Sequence, residues 1–448
     1  MSDRERTDDT VGLTLDGSAL HSSLADPLLS AMTFLNEVTL RFPDAISFAP
    51  GRPYEGLFDP DQVGADLATY TGYLRDTLGL GPDKVREALF QYGRTAGQIH
   101  RLVAATVAND EDLHVDPAAV VVTVGAQEGM LLAVRALAAG PRDVLLVSSP
   151  CYVGITGAAR LLDVAVEPVP EGPSGPAPEA VAAAAQRVRA GGRQPRAFYV
   201  VPDFANPSGA SMTVPARRRL LEVAAEQDLL LIEDNPYGFF GRDDTARPTL
   251  KSLDTRRRVL YLGSFAKTCF PGARVGYVLA DQPVRWPDRS VTLLADELAK
   301  IKSMTTVNTP SIAQAAIGGL LVRHGCRLRP ANTDTIAFYR HNMERLLAGL
   351  ADAFPDRDRL GLRWNAPGGG FFVVVQVPFA ADDAALEVSA REYGVLWTPM
   401  APFYLDGGGT HELRLSCSYV EPAAIDEGVR RLAAFVRAAA GLSASRSA

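Results

Sequence analysis

The sequence predicts an α/β protein in two parts: a large domain with a mostly parallel sheet between helices, and a smaller α+β domain. Three observations predict it. Between residues 120 and 280, short β-branched runs alternate with stretches of helical periodicity. Those runs are apolar at successive positions, the pattern of strands buried on both faces, whereas half-exposed strands alternate. After residue 305 the pattern changes to long helical stretches and then to a second, shorter set of strands. At 448 residues the chain is also longer than one core usually organises.

The elements follow in order. Residues 1–25 read as a polar arm, free or lying on a partner. Residues 26–55 form an N-terminal segment expected to fold against the small domain; within it Leu28–Val38 has helical spacing and Ile46–Tyr54 is extended and broken by Pro and Gly. Residues 56–305 are assigned to the large domain. It opens with the segment Phe90–Gly97 and the helix Ile99–Ala108. Strands are expected at Val120–Gly125, Val144–Ser149, Val164–Val169, Ala197–Val201, Leu229–Ile232, Val259–Leu262 and Val275–Ala280, with helices at Gln127–Ala139, Gly154–Leu162, Glu179–Ala190 and Pro215–Gln227. Helical stretches Leu293–Met304 and Thr309–Leu350 bridge to the small domain, which ends near residue 442. Its strands are Leu362–Trp364, Phe371–Val377, Val395–Pro399 and His411–Ser418, and its helices Asp382–Tyr393 and Pro422–Ala440. Residues 443–448 are Ser, Ala and Arg and are expected to be disordered.

Composition narrows the class. Net charge is −7 with no long basic block, which argues against nucleic acid and anionic membranes as partners. No apolar run reaches the length of a membrane span, and the polar start carries no secretory signal. Cys151, Cys269, Cys326 and Cys417 lack metal-ligand spacing, so no metal site is expected; they read as reduced thiols of a cytoplasmic protein.

Chemistry concentrates in Tyr261–Tyr277. An apolar run turns into a small-residue loop with Lys267, preceded by Ser264 and followed, after Pro271-Gly272, by Arg274. A lysine between an apolar wall and a second cation has a lowered pKa, and its free amine can attack a carbonyl; the plain alternative is a solvated loop lysine. Arg414 lies in the strand-like run Glu412–Ser418 between Leu413 and Leu415. There it needs a carboxylate partner, either an internal Asp or Glu or a ligand. Asn206 and Asp234 both follow apolar strands, where α/β sheets bind ligands, and both also suit turns or caps.

Four segments in order, Asn206-Pro207-Ser208-Gly209, Glu233-Asp234-Asn235-Pro236-Tyr237-Gly238, Ser264-Phe265-Ala266-Lys267 through Arg274, and Arg414-Leu415-Ser416, resemble the fold-type I pyridoxal 5'-phosphate (PLP) enzymes of the aminotransferase class I/II group. The resemblance implies the cofactor and gives its site residue by residue. Lys267 would hold the cofactor aldehyde and shuttle a proton. Asp234 would face the pyridine nitrogen, and Asn206 and Tyr237 the ring oxygen. Gly125-Ala126-Gln127, Ser264 and Arg274 would cradle the phosphate, and Tyr152 would stack on the ring. Tyr92 would reach across a homodimer interface to the partner's phosphate. Arg414 would take a substrate α-carboxylate, with Asn206, Gly51 and Tyr54 also on the substrate side.

Tyr54, Phe371, Phe372, Trp397 and Tyr404 fall in segments expected near the site, where they serve either an aromatic substrate or the core. No second arginine can be placed as the reader of a distal carboxylate; Arg52 is the only nearby candidate, with a solvated side chain as its alternative. Phe34–Glu37, Phe48–Glu55, Pro202–Gly209 and Leu396–Met400 look like a subgroup that includes dihydroxyphenylglycine and hydroxyphenylglycine transaminases of antibiotic-producing actinobacteria. The chain departs from it at Ala126, where a cysteine is usual, and at Cys269-Phe270. The leading expectation is amino transfer between an α-amino acid and a keto acid. Two alternatives remain beside it: elimination, replacement or C–C bond formation on the same scaffold, for instance with S-adenosylmethionine, and a non-catalytic sensor. Against the sensor stand the presence of Lys267 and the short polar arm where a DNA-binding domain would be.

Overall fold

The computed structural model describes residues 13–245 and 247–441. The expected tail, 443–448, and the first part of the arm, 1–12, lie outside the described residues.

Strand β1 (Ile46–Ser47) precedes the large sheet. That sheet contains β2 (Val120–Thr123), β3 (Asp143–Ser149), β4 (Ala165–Gly172), β5 (Gly175–Pro176), β6 (Gln194–Val200), β7 (Leu230–Asp234), β8 (Val259–Ser264) and β9 (Gly276–Leu279), in the order β2-β9-β8-β7-β6-β3-β4-β5. Strands β4, β3, β6, β7 and β8 pair in parallel. Strand β9 runs antiparallel to both β8 and β2. The reason is the connection: a parallel return needs a crossover, usually a helix, and only residues 265–275 separate β8 from β9. That short loop carries Lys267.

The central strands are buried on both faces, as continuous apolar runs require; β2 shows four consecutive buried residues and β3 six, whereas β4, nearer the edge, has one. Two helices absent from the expected order, Pro60–Gly72 and Pro82–Phe90, start with Pro in the first turn. A hairpin of β10 (Pro283–Arg285) and β11 (Val291–Leu293) also went unread; its exposed residues give little apolar signal.

The small domain has β12 (Arg363–Trp364), β13 (Phe372–Gln376), β14 (Val395–Leu396), β15 (Thr398–Pro399) and β16 (Glu412–Ser416). Its antiparallel sheet runs β12-β13-β16-β15. The expected single strand 395–399 is split. Strand β14 pairs in parallel with β1, while β15 pairs with β16. Trp397 between them is fully buried, donating from Nε1 to Ser389 Oγ at 3.1 Å, so it belongs to the core. Helices Thr333–Ala353, Asp383–Tyr393 and Pro422–Ala439 complete this domain. Phe48 and Ala49 sit in its core beside Leu396 and Leu415. That anchors the N-terminal segment just before Gly51.

Candidate active site

Strands β2, β3, β6, β7 and β8 all point the same way, so the residues that follow them gather along one edge of the sheet. One cavity there is lined by Gly51, Ala126, Gln127, Tyr152, Asn206, Asp234, Tyr237, Ser264, Lys267, Arg274 and Arg414, among others. Residues up to 363 apart in sequence thus meet. This is the C-terminal edge, where α/β sheets bind ligands.

Lys267 is enclosed in this cavity, its Nζ donating to the Gly51 carbonyl at 2.6 Å. Burial, and then the guanidinium groups of Arg274 and Arg414, pull its ammonium down to about 8. Among the described residues no carboxylate pairs with it, so its free-amine fraction near neutral pH is far larger than an ordinary lysine's. At the end of β7, Asp234 is 4% exposed. Its Oδ2 accepts from the Tyr199 hydroxyl at 2.7 Å, while its Oδ1 is buried without a partner. Burial raises its pKa to about 6 against the pull of the Tyr199 bond.

The helix Gly125–Leu137 opens at the cavity. Gly125 has φ +68°, and a Cβ there would fall 2.4 Å from Arg274 Nη2; glycine is needed both for the turn and for the arginine's approach. First-turn N–H groups and a guanidinium thereby share one concave spot, an anion cradle. Sequence reasoning missed its foundation. Glu128 accepts from Val124 N at 2.7 Å, from Lys302 Nζ at 2.7 Å and from the Thr306 hydroxyl at 2.6 Å. Lys302 is fully buried. The pair is 174 residues apart in sequence, and nothing local signals it.

Gln127 is fixed by donating to the Gly154 carbonyl at 2.8 Å. Tyr152 lies beside it, and burial lifts its hydroxyl to about 12. Tyr237 is buried and lines the cavity together with Asn206, its pKa driven far up by burial. Its ring meets Phe371 and Phe372 edge-on at 5.3 and 5.5 Å.

Arg414 is 2% exposed. Its position in β16 faces Thr398 and Val374 across the sheet. It donates to Asn206 Oδ1 at 2.5 Å, the Ala49 carbonyl at 2.8 Å and Thr398 Oγ1 at 3.2 Å. Phe372 and Phe403 flank it at 4.4 and 5.1 Å. Its Nε has no partner. Burial lowers its pKa to about 10. Among the described residues no Asp or Glu pairs with it, so the internal-partner alternative is not realised.

Gly51 has a steric role as well. A Cβ there would fall 2.5 Å from Phe372 Cζ, and Phe372 is the platform under Arg414. Gly51→Ala is expected to raise KM for the amino acid about 10-fold while the cofactor is retained; steady-state kinetics with a cofactor titration check this.

Two expected residues are elsewhere in this single chain. Tyr54 does not line the cavity: its hydroxyl donates to Glu421 and its ring stacks on Phe338 at 5.6 Å. That corrects its expected place on the substrate side, because a tyrosine in this turn finds a carboxylate and an aromatic face on the neighbouring helices first. Tyr92 is 83% exposed and outside the cavity. Tyr404 bonds Glu412 at 2.8 Å, and Phe371 packs between Tyr237 and Tyr339.

A carbonyl-reactive lysine, a buried acceptor without a donor and an anion cradle on one sheet edge define a PLP-dependent enzyme of fold type I. The residues fit the cofactor: Asp234 Oδ1 suits a ring N–H, and the Gly125–Arg274 cradle suits its phosphate. The chain belongs to the aminotransferase class I and II family, whose model matches residues 83–432. It is 48% identical over 432 residues to the (S)-3,5-dihydroxyphenylglycine transaminase of Amycolatopsis orientalis, covering 96% of this chain and 97% of that protein. The multiple substrate aminotransferase of Thermococcus profundus superposes with a TM-score of 0.78 at 27% identity, over 92% of this chain and 96% of that one. An α-aminoadipate aminotransferase from Thermus thermophilus, solved with N-(5'-phosphopyridoxyl)-L-leucine, gives a TM-score of 0.76 at 28% identity, over 95% and 100%. The protein is a PLP-dependent transferase that moves an amino group between an amino acid and a keto acid.

Proposed function

We propose that this aminotransferase takes an aromatic or arylglycine-type α-amino acid in specialised metabolism, as a homodimer in the cytoplasm. The observation that carries an α-amino acid rather than a simple amine is Arg414. A guanidinium this buried, with no acid to offset it, is stable only with an anion beside it for much of its working life. Tyr152 lines the cavity and supplies aromatic surface for the substrate, with buried Phe372 and Phe403 backing the guanidinium, and the arylglycine transaminase at 48% identity supports the same class.

Bound PLP would supply an electron sink for the bond broken at the α-carbon. The protein's own residues do the rest. Arg414 would hold the substrate carboxylate and so orient the α-carbon. Lys267 Nζ would be the base that takes the Cα proton. Asp234 Oδ1 would accept from the cofactor's ring N–H, and Asn206 with Tyr237 would hold its ring oxygen.

The test is a half-reaction screen of the holoenzyme with phenylglycines, aromatic amino acids, alanine, glutamate and S-adenosylmethionine. Conversion to the pyridoxamine form with release of an aryl keto acid is expected. Release of a side-chain fragment without that conversion would reject the proposal. Arg414→Gln should lower kcat/KM for α-amino acids about 10³-fold, since a buried charged pair is lost.

Tyr92 supports the dimer. It is a large exposed ring in the segment that resembles the family's phosphate-reaching tyrosine, and Phe90 beside it is 72% exposed. Light scattering should give a dimer; a fully active monomer would remove Tyr92 from the site. Four buried free cysteines support a reducing compartment.

A further inference from the structure

Behind the cofactor cavity lies a second, smaller one of about 20 Å³, lined by Glu111, Asn235, Gly238, Phe265 and Thr268 among others. Pro236 and Ser264 line both cavities. The wall between the two is therefore the turn after β7, which carries Asp234 and Tyr237, and the end of β8, which leads to Lys267. An acid stands on the far side of this wall: Glu111, the last residue of the helix His100–Glu111.

Glu111 is tied to both segments of the wall. Its Oε2 accepts from Asn235 Nδ2 at 3.1 Å and from the hydroxyl of Tyr261, a buried residue of β8. Asn235 Nδ2 also reaches the Tyr261 hydroxyl oxygen at 3.1 Å. The other end of the same amide, Oδ1, accepts from Gly238 N at 3.1 Å, and Asn235 N donates to the Leu262 carbonyl at 3.1 Å. The Asn235 side chain thus braces the turn from behind, with Asp234 at its start and Tyr237 inside the braced span. One carboxylate oxygen joins helix, turn and β8. The position is a costly one for an acid. A helix C-terminus disfavours negative charge, and burial lifts the Glu111 carboxyl to about 7 against the pull of the Tyr261 and Asn235 bonds. What it supplies is an acceptor that orders two donors at once.

We propose that Glu111 is a positioning residue of the active site: it holds Asn235, and through Asn235 it sets where Asp234 and Tyr237 stand toward the cofactor ring. This rests on the assignment of Asp234 to the ring nitrogen. Asp234 is then anchored from two sides. Tyr199 of β6 holds its Oδ2 at 2.7 Å, and the Glu111–Asn235 brace holds its backbone. Without the Glu111 acceptor, Asn235 Nδ2 keeps only Tyr261, and the turn is free to shift Asp234 Oδ1 away from the ring.

Two variants test it. Glu111→Met keeps the length of the side chain and removes the acceptor; Glu111→Gln keeps an acceptor oxygen. In the holoenzyme Glu111→Met should lower kcat about 30-fold while KM for the amino acid moves less than about 3-fold, because Arg414 lies on another strand. Cofactor affinity of the apoenzyme should fall about 10-fold. Glu111→Gln should recover both to within about 3-fold. The decisive measurement is a double-mutant cycle: added to Asp234→Ala, Glu111→Met should cost less than about 3-fold more, since its effect passes through Asp234. Independent, additive losses overturn the proposal, as does a Met variant with wild-type kcat and cofactor affinity, or a Gln variant as poor as Met. Asn235→Ala breaks the same link from the turn and should reproduce the kcat loss, which gives the answer if Glu111→Met does not fold. If Asp234→Ala itself leaves the rate unchanged, the ring-nitrogen assignment fails instead. Amide exchange of residues 235–238, faster in the Met than in the Gln variant, would then still judge Glu111.

Discussion

Lys267→Ala is expected to abolish turnover, with a loss of at least about 10⁴-fold, because one side chain serves as both the covalent anchor and the base. The variant should also lose the yellow absorbance of the lysine-bound cofactor after dialysis. Persistence of that absorbance would mean that another amine holds the cofactor. Enclosure of Lys267 adds a pH dependence. Its ammonium sits at about 8 rather than the usual lysine range, and only the free amine attacks an aldehyde. Reconstitution of apoenzyme with PLP should therefore accelerate as pH rises through about 8 and level off above it. Acceleration continuing to pH 10 would show an ordinary, solvated lysine. The same residue leaves Gly51 without its amine donor, so Lys267→Ala should also loosen residues 49–52. Amide exchange of that segment would report this separately from the chemistry.

Asp234→Ala carries the second largest effect. Its Oδ1 is a buried acceptor with no donor in the protein, and it lies where a protonated ring nitrogen would complete it. Removing it should leave cofactor attached through Lys267 and the phosphate cradle, while kcat falls about 10³-fold, the usual scale for one preorganised electrostatic contact. An unchanged rate would reject the ring-nitrogen role. Burial also sets a direction with pH. The carboxyl has a pKa of about 6 without a cation beside it, so it is protonated below that value and ionised above it. Cofactor affinity of the apoenzyme should weaken as pH falls through 6. Tyr199→Phe removes the bond that favours the ionised form, so it should shift this loss to higher pH.

Much of the site could be read from sequence because strand ends are local. Asp234, Asn206 and Lys267 each follow an apolar run, and a run of that kind ends at the ligand-binding edge of a parallel sheet. Arg414 stood out because an arginine between two leucines in a strand has no solvent to turn to. The change from short buried strands to long helical stretches near residue 305 is also plain in the sequence.

Other features depended on contacts between distant segments. Whether Arg414 had an internal acid was undecided in sequence and settled only when its neighbours proved to be Asn206, Ala49 and Thr398. Glu128 and Lys302 found each other across 174 residues and set the start of the phosphate-cradle helix. Tyr54 shared its segment with Gly51 but turned to Glu421 and Phe338, because side-chain direction in a Pro-Gly turn is decided by what packs against it. The sequence by itself determined the fold class and the order of the motifs, since periodicity and strand-end position are properties of neighbouring residues; the cofactor followed from the resemblance those motifs carry. The tertiary structure alone decided which groups were left unpaired, Asp234 Oδ1 and Arg414 Nε in the cavity among them. An unpaired group is defined by the absence of every possible partner, and only the folded chain shows where all of them are.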